Sequence, residues 1–135
     1  MSKKHLFKTT VYYEDTDAGG VVYHSKYLNF CERARSNIFF QQNHTPMENG
    51  FHFVVKKLTA NFLFSAKLGD SVKVETYVTE IKKASLVMKQ VMYLNHNDKK
   101  LFEMEVLLAC LHEDKVSKIP DDFLKLLSDE KELKQ

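Results

Sequence analysis

The sequence predicts an α+β domain in which an antiparallel sheet packs on one long helix. Three observations lead there. Between about Ser25 and Gln42 the apolar residues recur at helical spacing. After Gly50 the period drops to two and holds to about His112. The breaks between the later apolar runs are short and polar, as tight turns are. A lone long helix among hairpin-linked strands buries its stripe best against one face of their sheet.

The elements follow in order. Residues 5–14 read as a strand, bounded by the turn-forming run DTDAGG. In the helix, Tyr27, Cys31, Ala34 and Ile38 form the stripe and Phe30 widens it, while Lys26, Glu32, Arg33 and Arg35 fall mostly off it. Ser25 is the expected N-cap, since its hydroxyl can accept from a first-turn N–H. Pro46 and Gly50 break the helix. FHFVVKKLTANFLF reads as one long strand bent near Lys56-Lys57, and residues 68–70 as a turn. Val72, Val74, Thr76 and Val78 share one face of the next strand, and Leu86, Met88, Met92 and Leu94 one face of its successor. NHNDKK at 95–100 is a hairpin turn into the strand 101–112, where Phe102, Met104, Val106 and Leu108 face one way. From Pro120 a short amphipathic helix presents Phe123, Leu124 and Leu127. One helix wrapped by a curved sheet is the hotdog arrangement. A lone unit of that kind exposes edge strands and so favours pairing into a dimer.

Composition excludes several classes. The 135 residues fit a single domain, read as 1–135. Hydrophobic residues at 44% and charged residues at 28% are ordinary globular values. No apolar run approaches the about 20 residues a membrane helix needs, and the basic start MSKKHLFKTT lacks a signal core, so a cytoplasmic location is expected. A net charge of +2 is too weak to argue for nucleic acid. Cys31 and Cys110 match no metal spacing and are expected as reduced core residues. The His residues are scattered too, so neither a metal nor a cofactor is expected.

Chemistry concentrates in DTDAGG. Asp15 and Asp17 stand two residues apart, and Gly19 and Gly20 permit close backbone approach. The helix starts a few residues later, so its unpaired N–H groups point toward this region. A carboxylate beside such donors can attack a carbonyl or activate water while the donors stabilise an oxyanion. On composition alone the segment is ordinarily just a turn with a cap. His24 is then a capping or solvated residue, Tyr13 and Tyr23 are core aromatics, and the lysine pairs are solvated strand ends.

The ungapped run YYEDTDAGGVVYHSKYLNFCERAR resembles the YbgC-like branch of the 4-hydroxybenzoyl-CoA thioesterase family, with weaker similarity as far as about residue 112. The resemblance implies a hotdog fold and hydrolysis of acyl-CoA. It makes Asp17 the catalytic carboxylate and places the oxyanion donor at His24 or a neighbour. It assigns Tyr13 or Tyr23 to the acyl pocket. It suggests Lys82-Lys83 for the coenzyme A phosphates, from the neighbouring subunit if need be, although the third basic residue of the hydroxybenzoyl branch is missing. His24 replaces an aromatic residue of that branch, which favours an aliphatic acyl group. The family also implies a homo-oligomer, a dimer of dimers, and a link to lipid metabolism with a lipid-synthesis protein as a conceivable partner. The chemistry is compatible: a thiol leaves without strong acid help, so no Ser-His-Asp triad is required, and no Gly-x-Ser-x-Gly elbow occurs. Two other classes stay open at this point. A hotdog dehydratase or isomerase would carry a Gly-His-Phe-Pro segment, which is absent. A non-catalytic acyl- or partner-binding module would not need Asp17.

Overall fold

The computed structural model describes residues 3–128; residues 1–2 and 129–135 of the expected domain lie outside the described residues. Its strands are β1 (His5–Thr10), β2 (Phe51–Phe62), β3 (Ser71–Ile81), β4 (Ser85–Leu94), β5 (Lys100–His112) and β6 (Lys115–Val116). The helices are α1 (Lys26–Phe40) and α2 (Asp121–Leu127). The strands form one antiparallel sheet in the order β1-β3-β4-β5-β2, with β6 paired to β5.

The period-two reading fixes which side chains meet α1. Val72, Val74 and Val78, Leu86, Met88 and Met92, and Phe102, Met104, Val106 and Leu108 are all buried. Against them α1 buries Tyr27, Phe30, Cys31, Ala34, Ile38 and Phe39. Tyr27 stacks on Phe102 with ring centroids 5.2 Å apart. At the far end α2 closes the core, where the Phe123 ring meets those of Phe39 and Phe53 at 5.3 and 5.8 Å.

The departures have local causes. β1 stops at Thr10 rather than continuing to residue 14. Val11 exchanges backbone hydrogen bonds with Asp70 and Gly69, and the chain then winds through a short 3-10 turn at Tyr13–Asp15. The expected bend in β2 is a register shift between Val55 and Lys57, a bulge at Lys56. Ser25 does not cap α1. Its backbone is already helical (φ −69°) and its side chain makes no capping bond, because an N-cap oxygen reaches the first-turn N–H groups from an extended backbone. Arg35 is not on a solvated face. It is half-buried and its Nη1 donates to Gln90 Oε1 at 2.9 Å.

Both sheet edges, β1 and β2, are open among the described residues. β2 is the long one at 12 residues, and Val55, Leu58 and Phe62 on it are exposed.

Candidate active site

The segment between β1 and α1 is a small hairpin held from three sides. Asp15 opens it. Its Oδ2 accepts from the Tyr12 N–H at 2.9 Å, and the residue is 3% exposed. Asp15 is therefore committed to building the turn. Thr16 pairs with Val22, the Asp17 N–H donates to Val21 O at 2.9 Å, and the Gly20 N–H donates to Asp17 O at 3.0 Å. Gly20 sits at φ +80°, which a side chain would resist. The returning arm is tied to the stretch after β2: the Val22 N–H donates to Ala66 O at 2.9 Å, and the Leu68 N–H to Gly20 O at 3.1 Å. Tyr27, from the first turn of α1, accepts from the Ala66 N–H through its hydroxyl at 3.0 Å. Burial of that hydroxyl raises the Tyr27 pKa, so it stays protonated.

This scaffold presents Asp17 to solvent. Its Oδ1 accepts from the Gly19 N–H at 2.8 Å, which fixes the carboxylate's direction. Its Oδ2 has no protein partner among the described residues. The hairpin leads directly into the N-terminus of α1. That terminus has no side-chain cap and no acidic residue in its first turn. The Lys26 N–H turns back to Tyr23 O at 2.8 Å, while the N–H groups of His24 and Ser25 meet no carbonyl among the described residues. The helix thus offers an uncompensated positive end next to an exposed carboxylate.

A cleft of about 190 Å³ opens at this end, lined by Val22, His24, Tyr27, Phe62, Phe64 and neighbours. The His24 ring lies 4.3 Å from that of Tyr23 and 6.4 Å from that of Phe62. Of the residues singled out in the sequence, only His24 lines this cleft. Asp17 stands on the adjoining hairpin. Tyr13 is 82% exposed and does not line it, nor does Tyr23, which packs on the His24 ring instead. Tyr27, Phe62 and Phe64 supply the aromatic wall. In the sequence Tyr27 belongs to the helix stripe and both phenylalanines to one long strand; in the structure Phe62 ends β2 and Phe64 follows it. Lys82 and Lys83 are not brought to this site within one chain. Lys82 pairs with Glu80 at 3.5 Å in the β3–β4 turn. The 11 residues of β3 put about 33 Å between that turn and the Asp17 end. Among the described residues, no cluster of three or more His, Cys, Asp or Glu is placed to hold a metal ion.

Residues 11–127 match the model of the thioesterase-like superfamily. The chain belongs to that superfamily. It is 39% identical over 127 residues to the acyl-CoA thioesterase YbgC of Helicobacter pylori, covering 87% of this chain and 96% of that one. It is 42% identical over 117 residues to the acyl-CoA thioesterase YbgC of Haemophilus influenzae, covering 84% and 85%. The fold is shared with a 1,4-dihydroxy-2-naphthoyl-CoA thioesterase from Synechocystis at TM-score 0.84 and 18% identity, over 93% of this chain and 96% of that one. These likenesses account for the hotdog arrangement of the sheet and α1, and they leave the dehydratase reading without support.

Proposed function

We propose that this superfamily member hydrolyses acyl-CoA thioesters with Asp17 as its working carboxylate. The observation that carries the reading is the pairing of an exposed, half-pinned carboxylate with an uncapped helix N-terminus on one short hairpin. The relatives named YbgC supply the substrate class, acyl-CoA. In this reading the thioester carbonyl rests against the His24 and Ser25 N–H groups, which receive the negative charge as the carbonyl carbon becomes tetrahedral. Asp17 Oδ2 attacks that carbon, or takes a proton from the water that does. The C–S bond then breaks, the thiolate of coenzyme A leaves, and water supplies the oxygen of the free acid. The imidazole of His24 positions substrate or water, and Tyr23 backs that ring. Tyr13 sits on the outer side of the turn, where it can meet only a substrate that extends past the cleft.

A homodimer through β2 completes the site. In the sheet, Phe62 lies beside Phe102, Met92 and Val74 at the Asp17 end, and Phe51 beside His112 at the Lys82 end. A two-fold axis across the exposed β2 edge pairs β2 antiparallel with its copy. The Lys82-Lys83 turn of one copy then lies at the same end of the joined sheet as the other copy's Asp17 hairpin, where it would hold the nucleotide phosphates. The uncovered outer face of β2, β4 and β5 is the surface open to a dimer of dimers. Two free, buried thiols suit a cytoplasmic location. A place in lipid metabolism beside a lipid-synthesis protein belongs to the same proposal.

The test is Asp17→Asn assayed on a panel of acyl-CoAs. Loss of turnover by about 10²-fold or more is expected. Near wild-type hydrolysis would remove Asp17 from the mechanism.

A further inference from the structure

Three hollows follow α1 in sequence. The first is the cleft at His24, Tyr27 and Phe62. The second lies between Leu28, Glu32 and Arg35 on the helix and Val55 and Leu58 on β2. The third lies between Arg35, Ser36 and Phe39 on the helix and Phe53 and Val55 on β2. The second and third share Glu32, Arg35 and Val55 and form one groove between α1 and β2, floored by Met104, Val106, Met88 and Leu108, and the first lies before them along the same helix. Its walls are largely apolar; the polar lining is Arg35 and Glu32, shared by the second and third hollows, with Asn29 in the second and Ser36 and His52 in the third.

Arg35 ties α1 to the sheet and keeps donors to spare. Its Nη1 donates to Gln90 Oε1 at 2.9 Å. Gln90 is fully buried, and its Nε2 donates to Cys31 O at 2.8 Å and Thr76 Oγ1 at 2.9 Å. A guanidinium carries five N–H donors, and among the described residues Arg35 forms no ion pair and only this hydrogen bond. Glu32, one turn back, is its charged neighbour and accepts from Ser36 Oγ. The spare donors of this half-buried cation face the groove, where water satisfies them until a ligand oxygen takes its place.

We infer that Arg35 is a specificity-determining residue that receives an oxygen, hydroxyl or carboxylate, carried at the far end of the acyl group. The inference rests on the reading that places the thioester at the α1 N-terminus. From His24 to Arg35 the helical rise is about 16 Å. With C–C bonds of about 1.5 Å in a zigzag, that distance spans about a dozen carbons. A hydroxyl there can accept from Arg35 and donate to Glu32; a carboxylate accepts from two guanidinium N–H groups.

The experiment compares kcat/KM of the wild-type protein on octanoyl-CoA, dodecanoyl-CoA, and the ω-hydroxy and ω-carboxy forms of dodecanoyl-CoA. The expected result is a preference of about tenfold or more for at least one oxygenated form over dodecanoyl-CoA. A preference for the carboxylate alone assigns an anionic tail; a preference for the hydroxyl assigns Arg35 and Glu32 jointly. Arg35→Met, checked for folding by its thermal unfolding, should abolish that ratio. Octanoyl-CoA, too short to reach Arg35, reports on the site itself. Its hydrolysis with equal rates on the three longer substrates overturns the inference and leaves the site reading standing. No hydrolysis of any of the four overturns both. Equal rates together with dissociation of the Arg35→Met oligomer would assign Arg35 to contact with a second copy and overturn the inference as well.

Discussion

Replacing Gly19 by alanine adds one carbon at the tightest place in the site. That Cβ would stand 3.3 Å from Asp17 Oδ1, close enough that the carboxylate must give by a few tenths of an ångström. The Gly19 N–H survives, so its 2.8 Å bond to Oδ1 can persist in shifted form. The Gly19 backbone is outside the left-handed region, so alanine is not strained there. Losing glycine's freedom in the unfolded chain should even stabilise the fold by about 0.4–1 kcal/mol. Activity should move the other way. A misplacement of about 1 Å can cost about 10²-fold in rate, so a shift of a few tenths should cost several-fold and up to about tenfold, or about 1.4 kcal/mol in the barrier. The assay is kcat/KM on an acyl-CoA beside thermal unfolding of the same preparation. Gly20→Ala is the control. Its Cβ would meet nothing within 4 Å, but φ +80° makes alanine there cost about 1 kcal/mol or more in stability. Wild-type kcat/KM in Gly19→Ala would refute the reasoning. A fall in Tm matching that of Gly20→Ala would show that the hairpin, not the carboxylate, had been disturbed.

Two further predictions concern stability, one beneath the site and one where β1 meets α2, at the His5 ring nitrogen 3.0 Å from Leu127 O. Tyr27→Phe leaves the Ala66 N–H without its acceptor and should lower stability by about 1–3 kcal/mol, read as a Tm drop of at least about 3 °C; an unchanged Tm would mean that water replaces the hydroxyl. His5 titrates below its usual 6.5 because burial disfavours its charged form. The unfolded state therefore binds the proton more readily. Its contribution to stability is complete above pH 6.5 and is lost as the pH falls through the lower folded value. Tm should drop on acidification below pH 6.5 and drop less in His5→Phe, which cannot titrate; equal slopes in the two proteins would discount His5.

Period carried most of the fold. The α1 stripe and the alternation in β3, β4 and β5 state which side chains are inside, because those faces are buried along most of their length. The β1 boundary was not readable, since it depends on Gly69 and Asp70 folding back on Val11, and neither was the Ser25 cap, since the helical backbone already begins at that residue. The Asp15 and Asp17 carboxylates look equivalent in the sequence. Only the turn separates them, burying one against a backbone N–H and leaving the other in solvent. Arg35 and Gln90 are 55 positions apart, and a polar residue inside a period-two run gives no hint of what it faces. That Tyr27 joins Phe62 and Phe64 on the cleft wall was hidden for the same reason. Tyr27 matters through a contact with Ala66, 39 residues away.

The placement of Asp17 and Lys82 at opposite ends of β3 has a consequence for inheritance. If each site draws its carboxylate from one copy and its phosphate-binding lysines from the other, two defective alleles can rescue each other. Asp17→Asn chains alone build only broken sites, and so do chains carrying Lys82→Ala with Lys83→Ala. A mixed dimer concentrates both lesions in one site and leaves the other whole. Co-expression should therefore restore activity that neither parent shows. A protein whose sites each lay within one chain would show no such complementation.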